Sequence, residues 1–221
     1  MRIIAGEFRR RIIKSNPGNT TRPITDRAKE SLFARMTPLL EGRHVADIFA
    51  GTGSLGLEAL SRGAIGATFF ERDPTAVKLL KENIESLDLD DCTLVWPTDI
   101  LRTSFKPKGV DGILPWGVTF FDPPYKMVET IRPGQPLFKS LVRLARSGSV
   151  EPGGLLVFRR PAKVKFTMPD QWQLDEELDL VHGLPRSMRI EGYRLRGDES
   201  DEGDDADDAE PPAPASEPDG E

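Results

Sequence analysis

The stretch Val45-Ala46-Asp47-Ile48-Phe49-Ala50-Gly51-Thr52-Gly53-Ser54-Leu55-Gly56 decides the fold. Val45 to Phe49 is a short apolar run, too short for a stable helix, so it reads as a buried strand with Asp47 inside it. Gly51 to Gly56 is a glycine-rich turn. Leu55 to Ser61 then reads as a helix closed by Gly63. Strand, tight turn and helix make half of a parallel βαβ unit, so the chain is expected to continue by alternation.

It does. Ala67 to Phe70 is a second apolar run and ends in Glu71-Arg72-Asp73. Pro74 to Leu87 has helical periodicity, with Val77, Leu80, Ile84 and Leu87 on one side and Pro74 in the first turn. Cys92 to Trp96 is a third strand, followed by Thr98-Asp99-Ile100. A loop over residues 106–117 leads to Val118 to Phe121, which stops at Asp122-Pro123-Pro124-Tyr125. Neither proline has an N–H for a ladder, so Asp122 and Tyr125 belong at the rim of a sheet. A helix over Pro136 to Ser147, a strand over Leu155 to Phe158, and two late strands within 171–181 and 188–195, expected to be antiparallel, complete the pattern. The expectation is an α/β fold with a mostly parallel sheet covered on both faces by helices.

Ahead of this unit lies a basic head. Residues 1–43 hold ten Lys or Arg and four Asp or Glu. Two short strands are expected at Arg2 to Ala5 and Arg11 to Lys14, then a polar loop over 15–24, then a helix over Asp26 to Met36 capped by Thr25. Ala28, Leu32, Phe33 and Met36 share its inner face, and Thr37-Pro38 is expected to weaken or end it. Phe33 fits either a lid residue or plain packing. Behind the unit lies an acidic tail. Residues 198–221 carry twelve of the 36 acidic residues and no Lys or Arg, so the formal charge of −6 hides an excess of basic residues in 1–197. The tail has no large apolar residue and is expected to be disordered. Three segments follow: a basic extension (1–43), an α/β domain (44–197) and a tail (198–221).

Clustered arginine at one end favours a polyanion partner. The one cysteine, Cys92, excludes an intramolecular disulfide and reads as a small core residue. His44 and His182 are far apart and lack metal-ligand spacing, so no metal is expected. No run approaches the roughly 20 apolar residues of a membrane span, and the first residues lack a signal-peptide core, so a soluble cytoplasmic protein is expected.

Two ligand readings compete at the glycine turn. Gly51, Gly53 and Gly56 match a dinucleotide fingerprint, and Glu71 lies 20 residues after Gly51 at the end of the second strand. Such an acid suits the hydroxyls of a ribose in either a nicotinamide cofactor or S-adenosylmethionine. Three features favour the second. Asp47 suits a cationic ammonium better than a pyrophosphate. Asp99 beside Ile100 suits an adenine amine and ring. Asp122-Pro123-Pro124-Tyr125 has no part in hydride transfer.

Asp47 to Gly56, Glu71, Asp99 and Asp122 to Tyr125 together resemble the class I S-adenosylmethionine-dependent methyltransferases, whose fold is a Rossmann-like seven-stranded sheet. The head narrows this. Arg2 to Arg9, Arg22-Pro23-Ile24-Thr25-Asp26-Arg27 and Glu30-Ser31-Leu32-Phe33 resemble the N-terminal signature of the RsmD family, the 16S rRNA guanine-N2 methyltransferases. The resemblance spans roughly residues 1–160. It departs at Ile24, where the family usually has a small polar residue, and at Arg159, where it more often has an acid.

The resemblance implies S-adenosylmethionine held by Asp47, Phe49, Gly51, Gly53, Glu71, Arg72, Asp99 and Ile100. It implies catalysis by Asp122, Pro123 and Tyr125, in which an acid and a backbone carbonyl accept the N–H groups of a target amine and the tyrosine stacks on an unstacked base. It implies ribosomal RNA, within a small subunit or an assembly intermediate, as the partner of Arg2, Arg9, Arg10, Arg11, Lys14 and Arg22, with the protein acting as a monomer. An N6-adenine methyltransferase, a nicotinamide oxidoreductase and a non-catalytic RNA-binding module are the competing readings.

Overall fold

A computed structural model describes residues 1–15, 24–107, 112–178 and 187–197. Arg22, His182 and the tail 198–221 lie outside the described residues, as do most of the polar loop after residue 15, residues 108–111 and the end of the first late strand.

Seven strands form one sheet: β1 (His44–Ile48), β2 (Gly66–Glu71), β3 (Thr93–Pro97), β4 (Trp116–Phe121), β5 (Val150–Pro161), β6 (Trp172–Leu174) and β7 (Met188–Leu195). Their spatial order is β3-β2-β1-β4-β5-β7-β6. The first five run parallel, and β7 lies antiparallel between β5 and β6. The expected α/β architecture is therefore the observed one, a Rossmann-like sheet. β5 begins earlier than its apolar core implies. Trp116 pairs with Val150 but Val118 pairs with Leu155, so the glycine-containing segment between them bulges from the ladder. Cys92 ends a short turn ahead of β3 rather than opening the strand, and it packs half-buried against the core.

Alternate residues of each central strand feed two separate cores, because successive side chains of a strand point to opposite faces. On one face lie α1 (Asp26–Leu40), α2 (Ser54–Ser61) and α3 (Pro74–Glu85), with Val45, Phe69, Val118 and Phe120 beneath them. On the other lie the short α4 (Tyr125–Val128) and α5 (Pro136–Ala145), over Ala46, Phe70, Phe121 and Phe158. Leu137, Leu141 and Leu144 of α5 are buried as their spacing predicts. Each such side chain contributes about 1.5–3 kcal/mol on burial.

α1 departs from expectation. Thr25 caps it, accepting from the Ala28 N–H at 3.2 Å. Pro38 does not end it, and the helix runs on to Leu40. Pro38 sits in the last turn, where few ladder bonds remain to be lost, and burial of Leu40 holds the turn in place. Phe33 is buried against Phe120, with ring centroids 5.6 Å apart, and the Arg62 guanidinium covers it. It is a packing residue, not a lid.

The head folds onto α2 and α3. Instead of two strands it has one antiparallel bridge, Arg2 with Ile12, and a turn in which Arg10 takes φ 72°. Ile3 and Ile13 are buried in the same core as α1. Ile12 remains 82% exposed, alongside exposed Arg9, Arg10 and Arg11. Glu58 of α2 accepts the N–H groups of Ile4 and Ala5 at 2.8 and 3.1 Å and pairs with buried Lys29 at 3.1 Å. Asn83 of α3 brackets Lys14, accepting from its N–H and donating to its carbonyl.

Candidate active site

β1 is flanked by β2 and β4, so the chain changes direction across the sheet there. The carboxyl ends of strands at such a switch point form a crevice. Register places the key residues at one height. Ile48 pairs with Phe70 on one side and Phe121 on the other, so Phe49, Glu71 and Asp122 each lie one residue beyond the pairings of β1. Phe121 pairs with Phe158, which puts Arg159 level with Asp122. A cavity of about 300 Å³ opens there, lined by Phe49, Gly51, Phe70, Glu71, Arg72, Asp73, Ala76, Thr98, Asp99, Ile100, Asp122, Pro124, Met127 and Arg159.

Six of the eight expected cofactor residues line this cavity: Phe49, Gly51, Glu71, Arg72, Asp99 and Ile100. Phe49 has φ 66°, a strained value for a non-glycine residue, and its ring meets Phe121 edge-on at 5.5 Å. The glycines differ in purpose. Gly51 has φ 56°, and a Cβ built there meets nothing within 4 Å, so the backbone is open to a ligand. A Cβ on Gly56 would lie 2.3 Å from the Phe69 ring, so that glycine serves the packing of α2 on β2. Gly53, another of the eight, caps α2 in a left-handed conformation and faces Leu57 and Leu80 rather than the cavity.

Asp47 is the other residue outside the lining. It lies buried beneath the turn and accepts the Gly56 N–H at 2.8 Å. Burial pushes its carboxyl up to about 7, against the pull of that N–H, and the nearby Asp122 and Glu71 push it the same way. The bond to Gly56 ties β1 to α2. Glu71 accepts from the N–H groups of Gly51, Arg72 and Asp73, each at 2.8 Å, which fixes its carboxylate at the cavity wall. Of the roughly four lone-pair sites of a carboxylate, those bonds leave one, on Oε2, for a ligand hydroxyl. Asp99 accepts from the Leu101 N–H at 3.0 Å and stands 3.7 Å from Arg72 across the mouth.

Ser140 and Arg143 of α5 hold this last loop from behind. Ser140 donates to the Ile100 carbonyl at 2.6 Å, and Arg143 donates to the Leu101 carbonyl at 2.7 Å. Periodicity marks them only as helix positions, so sequence reading misses them. It misses Thr98 and Met127 as well, because they carry no chemistry to single them out.

Asp122 meets Arg159 in a bidentate pair, Nε to Oδ1 at 2.6 Å and Nη2 to Oδ2 at 2.7 Å. Burial pushes the Asp122 carboxyl upward, and the guanidinium opposes the shift. Arg159 also lies over the Tyr125 ring, 5.7 Å from its centroid. Pro123 is buried and Tyr125 half-buried, and neither lines the cavity. Of the expected RNA contacts, Arg2, Arg9, Arg10, Arg11 and Lys14 are all exposed. Arg2 pairs with Asp26 and Lys14 with Glu82. Among the described residues no cluster has the makings of a metal site, and no helix is long and apolar enough to cross a membrane.

A Rossmann-like sheet with a glycine turn and Glu71 at the switch point, and an Asp-Pro-Pro-Tyr at the neighbouring strand end, is the architecture of a class I methyltransferase. Residues 1–179 match the family model described as conserved hypothetical protein 95, the RsmD family, and the chain belongs to that family. The ribosomal RNA small subunit methyltransferase D of Haemophilus influenzae is 31% identical over 198 residues, covering 88% of this chain and 92% of the relative. That of Escherichia coli K12 is 36% identical over 126 residues, covering 57% of this chain and 61% of the relative. The solved structure of yhhF from Escherichia coli superposes with a TM-score of 0.70 at 29% identity, covering 89% of this chain and 98% of that one. A Pyrococcus abyssi tRNA (uracil-54, C5)-methyltransferase solved with S-adenosyl-L-homocysteine shares the fold alone, with a TM-score of 0.52 at 15% identity, over 80% of this chain and 40% of that one. Family membership sets aside the nicotinamide reading: the chain is a methyltransferase.

Proposed function

We propose that this protein transfers a methyl group from S-adenosylmethionine to the exocyclic N2 of a guanine in small-subunit ribosomal RNA. The observation that carries the proposal is the convergence of Glu71 and Asp122 on one cavity, from the ends of strands on either side of the glycine turn. The fit to S-adenosylmethionine rests on the open face of Gly51, the fixed carboxylate of Glu71 and the apolar floor at Ile100 and Phe70. Glu71 would hold a ribose hydroxyl, Asp99 the adenine amine, and Ile100 with Phe49 the ring. Arg72 lies beside Asp99 at the mouth.

Bound there, S-adenosylmethionine supplies a methyl group already made electrophilic by its sulfonium. The chain's residues then have to position a poor nucleophile, because the lone pair of an aromatic amine is delocalised into its ring. Asp122 accepts one N–H of the target amine and the Pro123 carbonyl the other, which draws the nitrogen toward tetrahedral geometry. As the sulfonium gave up its methyl group to the nitrogen, an ionised Asp122 would stabilise the positive charge growing there. The methylated nitrogen would then lose one proton, to Asp122 or to water. Tyr125 stacks on the base, which must be turned out of its own stack to reach the site.

The exposed arginines of the head, segment 1–43, suit phosphate contact and give binding a salt dependence. The substrate is then a small subunit or assembly intermediate in the cytoplasm, met by a monomer whose 44–197 domain performs the chemistry. The test is incubation with radiolabelled S-adenosylmethionine and small subunits, free rRNA or DNA, followed by nucleoside analysis. N2-methylguanosine from ribosomal material is the expected product. N6-methyladenosine, or no incorporation from any substrate, overturns the proposal.

A further inference from the structure

Asp122 is asked to accept an N–H while ionised, yet it lies largely enclosed, with its side chain 15% exposed and a second carboxyl, Asp47, on the adjacent strand. A carboxylate in such a place tends to take up a proton, and a protonated acid loses much of its value as an acceptor and all of its negative charge. One side chain answers this. Arg159, level with Asp122 on β5, directs two guanidinium N–H groups at its two oxygens. The fork fixes the carboxylate plane, which a point-like ammonium does not do. Each carboxylate oxygen has a second lone pair, so the fork leaves acceptor capacity for a target amine. Arg159 is itself buried and steadied from β7, where Nη1 lies 3.9 Å from the Met188 sulfur. Its guanidinium also faces the Tyr125 ring at 5.7 Å.

We infer that Arg159 is a positioning residue for methyl transfer: it holds Asp122 ionised and oriented toward the target amine, and it braces Tyr125 with the same guanidinium. The inference rests on the reaction assigned above. The charged groups that act on Asp122 are Asp47 on β1 and Arg159 on β5, with Tyr125 of α4 lying against Arg159, and Arg159 is the cation among them. Transfer needs Asp122 ionised, so the rate falls as pH drops through its pKa. Loss of the guanidinium raises that pKa, and the acid limb of the rate profile moves to higher pH.

The experiment compares wild type, Arg159→Met and Arg159→Lys. S-adenosylmethionine binding, measured by calorimetry, reports on folding and the cofactor site, and each variant's rate is read at a concentration that saturates it. Methyl transfer to small subunits is followed across the acid and neutral pH range. In Arg159→Met, kcat falls about tenfold or more at neutral pH while KM for the subunit changes little. Its acid limb moves up by about 1–3 pH units, the usual effect of one adjacent opposite charge, and raised pH restores much of the rate. Arg159→Lys keeps the limb near its wild-type place with a partial loss of kcat, because the charge stays and the fork goes.

An unmoved limb in Arg159→Met overturns the inference. So does a rise in kcat/KM, which would mean that Arg159 only competes with the base. A carbon-13 NMR titration of the Asp122 carboxyl, assigned by its loss in Asp122→Asn, needs no turnover. If wild type leaves guanine N2 unmodified, the assigned reaction falls, and the titration alone decides whether Arg159 sets the charge of Asp122.

Discussion

Replacing Glu58 with Gln tests what joins the basic head to the methyltransferase core. Glu58 is fully buried, and its two oxygens serve four donors: the N–H groups of Ile4 and Ala5, Lys29 Nζ at 3.1 Å, and Arg62 Nε at 2.9 Å. Lys29 is 1% exposed, so Glu58→Gln would strip its enclosed ammonium of its paired counter-charge and leave it the Arg2 carbonyl and the weaker pull of Asp26. Removing one partner of a buried ion pair costs about 3–5 kcal/mol. Burial already pushes the Lys29 pKa down, with Glu58 opposing the shift, so part of that cost is relieved by loss of the lysine proton. A net loss of about 3 kcal/mol is expected, a large share of the roughly 5–15 kcal/mol of a typical domain. Lys29→Met should cost less, because Glu58 keeps Arg62 and two backbone donors. The double variant Lys29→Met/Glu58→Gln should recover stability relative to Glu58→Gln alone. Urea unfolding gives the three values, and amide exchange at Ile4 and Ala5 reports the head directly. A loss below about 1 kcal/mol for Glu58→Gln, well under the buried-pair range, or Ile4 and Ala5 amides as protected as in wild type, would refute the reasoning.

The two outer glycines of the turn should separate by assay. Gly56→Ala drives a Cβ against the buried Phe69 ring and should cost about 1–3 kcal/mol by urea unfolding. Gly51→Ala meets nothing in the protein, so calorimetry should show its main loss in S-adenosylmethionine affinity, beside a strain of about 1–2 kcal/mol at φ 56°. Asp47 has its pKa raised to about 7 in the folded chain. The folded state therefore holds the proton more tightly than the unfolded state, and this group's contribution to stability declines as pH rises from about 4 to about 7. Asp47→Asn should remove a slope of up to about 1.4 kcal/mol per pH unit from that window in urea unfolding at stepped pH. Arg9→Ala/Arg10→Ala/Arg11→Ala should weaken RNA binding and flatten its salt dependence by up to about 0.7–0.9 log unit for each phosphate no longer neutralised, read by titration at several salt concentrations.

Much of this molecule is legible before folding. Apolar runs of strand length alternate with helical periodicity, and that alternation has few solutions besides a parallel sheet between two helical layers. The glycine turn, Glu71 and Asp122 are legible because backbone chemistry restricts what can follow a strand end. The end of α1 is misread from sequence because Pro38 is a local signal, whereas burial of Leu40 is a tertiary one. Ser140 and Arg143 escape notice because nothing in a helix period says which loop lies behind it.

By itself, then, the sequence determined the layered fold and the strand ends that carry chemistry, and through the head and strand ends together it revealed the RsmD family. Those readings depend on short-range patterns, which a chain carries wherever it is folded. Only the tertiary structure decided how each acid is held. Asp47 lies under the turn rather than in the cavity, Glu71 is pinned by three backbone donors, and Asp122 is forked by Arg159. Residues 122 and 159 are 37 positions apart, and only the pairing of β4 with β5 brings them level. The charge state of a buried carboxylate depends on such neighbours and not on its own identity.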